Sequence, residues 1–149
     1  MIENKMIDHI SFCVRNFEQS RNFYDKTLEI LGYERLMDFD DDTHQVAGYG
    51  KKGKPSFWVG TKKQLSELDR GESIGSALGF HVGFLAPSVA SVHKWYETCL
   101  ELGGKDNGAP GPRLEYHPAY YGAFIVDPDG WRIEACFQEY DGSESRSSA

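Results

Sequence analysis

The chain has no apolar run that approaches the roughly 20 residues needed to span a bilayer. Its first residues, MIENKMIDH, lack the apolar segment of a secretory signal peptide. Basic residues never occur more than two in a row, and the formal net charge is −7, so the chain repels a phosphate backbone. We therefore expect a cytoplasmic protein that binds neither a membrane nor nucleic acid.

Cysteine is also scarce. Cys13, Cys99 and Cys136 are widely spaced and form no Cys-x-x-Cys pair, which argues against a disulfide framework or a zinc knuckle. With 149 residues, of which 40% are apolar and 26% charged, the composition is that of an ordinary folded domain. The end of the chain, DGSESRSSA, has no apolar residue before its last alanine, so residues 139–149 are expected to form a flexible tail.

The sequence repeats itself with an offset of 72 residues. DHISFCV at 8–14 and FHVGFLA at 80–86 share the order His, β-branched, small, Phe, and the same offset pairs Tyr24 with Tyr96. Solenoid units run about 20–50 residues, so a period of this length indicates a duplicated module rather than a repeat array. Two such modules can share one core, and they can complete a cup within one chain or by exchanging halves with a second chain.

Each copy reads as a strand, a helix and three further strands. Asn16 and Ser88 are candidate N-caps, and glycines follow the last apolar residues of both helices. The later strands are expected near 33–39, 44–50 and 56–60, and near 105–116, 120–127 and 131–138. The pattern predicts an α+β fold in a single domain at 1–138, with two βαβββ modules at about 7–61 and 79–138. Their sheets are expected to form a curved mixed-sheet cup with the helices on the outside.

The stretch FIVDPDGWRIEACF at 124–137 reads as two strands joined by a tight turn. Asp127 and Pro128 suit the first two turn positions, and Gly130 accepts the positive φ of a bulged hairpin. The turn therefore pins the register of the last two strands. Period-two alternation then places Glu134 on the face opposite to the apolar residues that pack on a helix.

The same alternation places His9 and His81 on the helix-distal faces of their strands. If the two sheets lie side by side, two imidazoles and one carboxylate converge. That set binds a divalent metal ion and leaves other coordination positions open. The competing interpretation is a structural ion pair between Glu134 and Arg132, which share a face.

These segments resemble the vicinal oxygen chelate superfamily, which includes glyoxalase I, bleomycin-resistance proteins, extradiol dioxygenases and fosfomycin-resistance thiol transferases. The resemblance covers residues 7–138 and rests on DHISFCV, FHVGFLAPSVASVHKWYETCLELGG and YYGAFIVDPDGWRIEA. It implies paired βαβββ modules around one divalent ion, with ligands from the first and last strands of each module. His9, His81 and Glu134 match three of these ligand positions. Trp58 stands at the fourth, where glyoxalase I carries a second glutamate.

The resemblance implies a metal-dependent enzyme that binds adjacent oxygens of a small-molecule substrate and forms a homodimer. The ion would be Fe, Ni, Co, Zn or Mn, and the reaction that of a glyoxalase-like lyase or isomerase, an extradiol dioxygenase or a thiol transferase. Tyr121 and His117 are candidate acid–base residues, and Trp58, His44 and Arg132 are candidate substrate contacts. The alternative is a metal-free protein of the bleomycin-resistance type that sequesters a drug-like molecule.

Overall fold

The computed structural model describes residues 6–75 and 78–143 and contains the order βαβββ twice. The first module comprises β1 (Ile10–Cys13), α1 (Phe17–Ile30), β2 (Glu34–Asp40), β3 (His44–Lys51) and β4 (Lys54–Lys62). The second comprises β5 (Val82–Leu85), α2 (Val89–Glu101), β6 (Lys105–Pro112), β7 (Tyr121–Val126) and β8 (Arg132–Phe137). The predicted α+β architecture of two βαβββ modules is confirmed.

Each module builds its own four-stranded mixed sheet, in the orders β1-β4-β3-β2 and β5-β8-β7-β6. The first and last strands of each module are parallel neighbours, and the other pairs are antiparallel. The registers match between modules, because Ser11 pairs with Trp58 and Gly83 pairs with Glu134. Trp58 and Glu134 therefore occupy equivalent places in the two sheets.

Both helices begin at the predicted N-caps. The side chain of Asn16 accepts a hydrogen bond from the backbone N–H of Gln19 at 3.1 Å. Ser88 and Ser91 form a reciprocal capping box at the start of α2. After α1, Gly32 adopts a φ of +85°, which residues with a side chain rarely adopt. Local sequence signals thus determine where the helices begin and where α1 stops.

Neither of the two described helices is long and apolar enough to cross a membrane.

Aromatic side chains join the two modules in one core. Phe12 stacks on Trp131 with ring centroids 4.7 Å apart, and Phe57 meets Phe84 edge-on at 5.0 Å. The indole N–H of Trp131 also donates to the carbonyl oxygen of Cys13 at 2.8 Å. These contacts come from the helix-facing sides of the sheets, so the modules pack through the same apolar surfaces that hold their helices.

A buried polar network links the turn between β7 and β8 to the first module. The hydroxyl of Tyr24 donates to the carboxylate of Asp127 at 2.6 Å, and that of Ser20 donates to Asp129 at 3.1 Å. The backbone N–H of Arg15 also donates to Asp129, at 2.9 Å. Burial raises the pKa of the Asp127 carboxyl above its ordinary value. The DPDG turn therefore fastens one module to the other as well as closing its hairpin.

The hairpin closure itself follows the sequence prediction. The backbone N–H of Asp127 donates to the carbonyl oxygen of Trp131 at 2.8 Å, and Gly130 has a φ of +100°. The β7–β8 pairing then sets Phe124 opposite Glu134. The turn and the register thus fix the face on which the carboxylate lies.

Gly130→Ala is expected to lower the free energy of unfolding by about 2 kcal/mol, because a side chain at positive φ is strained. Its new β-carbon would also come within 3.1 Å of the Gly75 carbonyl oxygen. Urea unfolding measures the loss. Gly71→Ala is the matched control, since its φ is +89° but no atom lies within 4 Å of the added carbon. A Gly130→Ala loss no larger than that of Gly71→Ala would rule out a contribution from the Gly75 contact.

Part of the expected flexible tail at 139–149 packs on the second module. The backbone N–H of Tyr140 donates to the carbonyl oxygen of Ala119 at 2.9 Å, and its ring lies 5.0 Å from that of Tyr121. Residues 144–149 of that tail, like residues 1–5 of the expected domain, lie outside the described residues. Tyr140, in the expected tail, thus contacts the second module.

Candidate functional site

Glu134 is a buried carboxylate on the face of the second sheet opposite to its helix-facing residues. Its relative exposure is 2%. Two glycines leave space for its carboxylate group. A β-carbon added at Gly122 would come within 3.1 Å of Oε1 of Glu134, and one added at Gly83 would come within 3.5 Å of Oε2. A buried charge is costly unless it has polar partners. The contacts of the two carboxylate oxygens therefore define the site.

Each of these oxygens has a side-chain partner. His81 Nε2 lies 3.0 Å from Oε2 of Glu134, and the hydroxyl of Tyr120 donates to Oε1. The side chain of His81 is 49% exposed, and its ring meets Phe124 edge-on at 5.9 Å. The imidazole is thus anchored on the buried carboxylate while half of its surface remains accessible.

Tyr120 is braced by the loop that precedes β7. Its ring packs edge-on against Tyr116 at 5.0 Å and against His117 at 5.3 Å. His117 Nε2 in turn lies 2.5 Å from the side-chain oxygen of Gln138. Burial, followed by the hydrogen bond to Glu134, raises the pKa of the Tyr120 phenol well above its ordinary range. The phenol therefore stays protonated at neutral pH and donates a hydrogen bond to the carboxylate.

Tyr121, the acid–base candidate from the sequence, points the other way. It is fully buried, and its hydroxyl lies 2.7 Å from Nε2 of His93 on α2. Successive residues of an extended chain face opposite sides, so Tyr120 reaches Glu134 and Tyr121 enters the core. The alternation that oriented Glu134 can be extended to residues 120–126. It then predicts that Tyr120, and not Tyr121, lies on the same face as Glu134. His117, the other acid–base candidate, contacts the ring of Tyr120 instead.

His9 lies on the other module, directly before β1. Its Nδ1 is 2.7 Å from the carboxylate of Asp8, and its side chain is 56% exposed. Across residues 6–75 and 78–143, no three His, Cys, Asp or Glu side chains gather in a group that could hold a metal ion. The structure therefore brings His81 and Glu134 together and leaves His9 apart from them.

The packing of the modules accounts for this separation. The modules meet through helix-facing residues, such as Phe57 against Phe84. His9 and Glu134, in contrast, belong to the faces of two separate sheets that point away from the helices. The sequence expectation placed those faces around one concavity, formed either within one chain or across two chains. The described part of a single chain supplies two of the three expected ligands at one place.

Trp58 holds, in the first sheet, the position that Glu134 holds in the second. Its ring lies over Gly48, where an added β-carbon would come within 2.7 Å of the indole. The side chain is partly exposed. The first module thus presents an aromatic surface where the second presents a carboxylate.

His44 and Arg132, the remaining candidates, lie on different sheets. His44 begins β3, with Nδ1 2.6 Å from the hydroxyl of Thr43. Hydrogen bonds from Thr43 lower the pKa of the neighbouring Asp41 to about 2. Arg132 begins β8, two residues before Glu134 and on the same face. Arg132 is therefore the substrate-contact candidate on the strand that carries the carboxylate.

The sequence matches a family model over most of its length. The model, described as the Glyoxalase/Bleomycin resistance protein/Dioxygenase superfamily, covers residues 6–135. The chain therefore belongs to this superfamily, the vicinal oxygen chelate proteins that its sequence resembles. A comparison with curated proteins gives no match.

Solved structures share the fold. A glyoxalase/bleomycin resistance protein from Albidiferax ferrireducens T118 superposes with a TM-score of 0.68 at 24% identity, covering 89% of this chain and 99% of that one. A glyoxylase/bleomycin resistance protein/dioxygenase domain from Frankia sp. EAN1pec gives 0.63 at 20% identity, with 91% and 99% covered. Glyoxalase I from Zea mays gives 0.66 at 21% identity, with 88% of this chain and 45% of the maize chain covered. The chain thus spans less than half of the maize enzyme, and the likeness concerns the fold.

Proposed function

We propose that the chain is a divalent-metal-dependent enzyme that acts on a small molecule through two adjacent oxygens. The observation that carries this proposal is the buried carboxylate of Glu134, which faces the repeat-related His81 at 3.0 Å. An imidazole nitrogen and a carboxylate oxygen suit Fe, Ni, Co, Zn and Mn alike. When bound, such an ion would supply a Lewis acid beside the substrate oxygens.

His81 and Glu134 fit such an ion as one half of a site. Two protein donors hold a divalent ion weakly, and His9 is the repeat equivalent of His81 with an exposed side chain. We propose that His9 comes from a second copy of the chain in a homodimer. The first module of one copy then covers the second module of the other, and symmetry gives two equal sites.

The residues around the proposed site have separate tasks. Tyr120 orients Glu134, and Trp58 offers an apolar wall to the body of the substrate. Because Trp58 stands at the position equivalent to Glu134, the site lacks a second carboxylate there to take up a substrate proton. This favours the dioxygenase or thiol-transferase type of reaction over the glyoxalase type.

Mixing two inactive variants tests the shared site. His9→Ala and His81→Ala are each expected to lose tight Co²⁺ binding. After unfolding and refolding together, half of the dimers are hybrids with one intact site of two, so about a quarter of the wild-type capacity should return. No recovery, with dimers shown by sedimentation, would contradict a site built across two copies.

A metal-free binding protein is the second candidate. The aromatic surface of Trp58 over Gly48 and the net charge of −7 favour a planar organic cation as ligand. Titration with ethidium, followed by fluorescence, separates the two candidates. If the chain is the proposed enzyme, it binds a divalent ion and this binding depends on His81. If it is a metal-free binding protein, wild type and His81→Ala both bind ethidium tightly and neither binds a divalent ion.

A further inference from the structure

We infer that Tyr120 is a positioning residue of this site: its hydroxyl holds Oε1 of Glu134, so that Oε2 is the oxygen presented beside His81. The inference rests on the proposed function, because it concerns how the same carboxylate meets an ion.

The contact between Tyr120 and Glu134 depends on residue 122 being a glycine. Gly122 lies beneath both groups, and an added β-carbon there would come within 3.1 Å of Glu134 Oε1 and 3.2 Å of the Tyr120 ring. A side chain at 122 would therefore crowd both the phenol ring and the carboxylate. The chain thus keeps a space in which this hydrogen bond forms.

The phenol ring is itself held in place on several sides. The rings of Tyr116 and His117 are in edge-to-face contact with it, with ring centroids 5.0 and 5.3 Å away. The backbone N–H of Tyr120 donates to the carbonyl oxygen of His117 at 3.2 Å. The carbonyl oxygen of Tyr120 accepts from the backbone N–H of Arg113 at 2.9 Å. The hydroxyl therefore reaches the carboxylate from a fixed direction.

A fixed donor matters because a carboxylate turns easily. The terminal torsion of a glutamate side chain has a broad, two-fold preference, so a free carboxylate offers either oxygen in many orientations. The hydrogen bond from Tyr120 fixes Oε1 before any ion arrives and leaves Oε2, the oxygen beside His81, as the one presented to the ion. Partners that orient a ligand in this way change metal affinity by about 10- to 100-fold.

Tyr120→Phe tests the inference, because it removes only the hydroxyl. We expect Co²⁺ to bind about 10-fold more weakly by calorimetry. The visible absorption spectrum of the Co²⁺ protein should also change, since both oxygens of Glu134 become available to the ion. Tyr116→Phe is the matched control, because it deletes the hydroxyl of the adjoining, 57% exposed tyrosine, and it should match wild type in both measurements.

The outcomes separate this inference from the function on which it rests. Wild-type protein that binds no divalent ion would overturn the proposed function. Wild-type binding together with an unchanged affinity and Co²⁺ spectrum in Tyr120→Phe would overturn the positioning role alone. The spectrum is decisive, because a residue that merely supports the fold would not alter the coordination of the ion.

Discussion

Replacing Glu134 with glutamine is expected to weaken binding of Co²⁺ or Zn²⁺ by about 100-fold or more, a larger loss than that of an orienting partner. The amide keeps the shape of the side chain but removes the negative charge and one of the two oxygens. Its buried position between Gly83 and Gly122 leaves little room for a substitute ligand. Calorimetric titration of metal-free protein measures the change in affinity.

Glu139→Gln is the matched control for this experiment. The substitution is the same, and Glu139 lies exposed just after β8, outside the contacts of Glu134. It should bind the ion as wild type does, and circular dichroism should show that both variants are folded. Equal affinities in the two variants would remove Glu134 from the metal site.

Asp127→Ala is expected to have the largest effect on stability, a loss of about 3 to 4 kcal/mol. The carboxylate accepts hydrogen bonds from the Tyr24 hydroxyl and from the backbone N–H groups of Asp129 and Trp131, at 2.6 to 2.9 Å. Alanine leaves these three donors unpaired in a buried place. The hairpin turn and the junction of the modules would weaken together, which urea unfolding measures.

Asp127→Asn distinguishes the network from the charge. The asparagine oxygen can still accept from the two backbone groups, and its amide can donate to the oxygen of Tyr24. Burial already raises the pKa of the Asp127 carboxyl, so loss of the negative charge carries little penalty. We expect a loss of about 1 kcal/mol. If both variants lost the same stability, the charge rather than the hydrogen bonds would account for the effect.

Most of the fold could be predicted because its signals are local or repeated. The caps Asn16 and Ser88 each require only a few neighbouring residues, and the DPDG turn requires four. The 72-residue offset then allowed the strands and helix predicted for one module to be assigned to the other. Alternation along β8 placed Glu134 correctly opposite the helix-facing residues, because the turn fixes the register.

The composition of the site was harder to predict, because it depends on contacts between distant segments. His9 and His81 occupy equivalent positions in their modules, and the repeat says nothing of how the two sheets face each other. Both a shared concavity and separate faces satisfy the same apolar pattern. The meeting of Tyr120 with Glu134 depends on the loop before β7, whose path has no periodic signal. The metal role of His9 stays a prediction.

Elemental analysis can show whether His81 and Glu134 bind an ion, after the protein is purified without oxygen, exposed to Fe, Ni, Co, Zn and Mn and freed of excess ions. We expect about one divalent ion per chain in wild type and almost none in His81→Ala or Glu134→Gln. Wild-type protein without a bound ion, or an unchanged ion content in both variants, would show that His81 and Glu134 do not form a metal site.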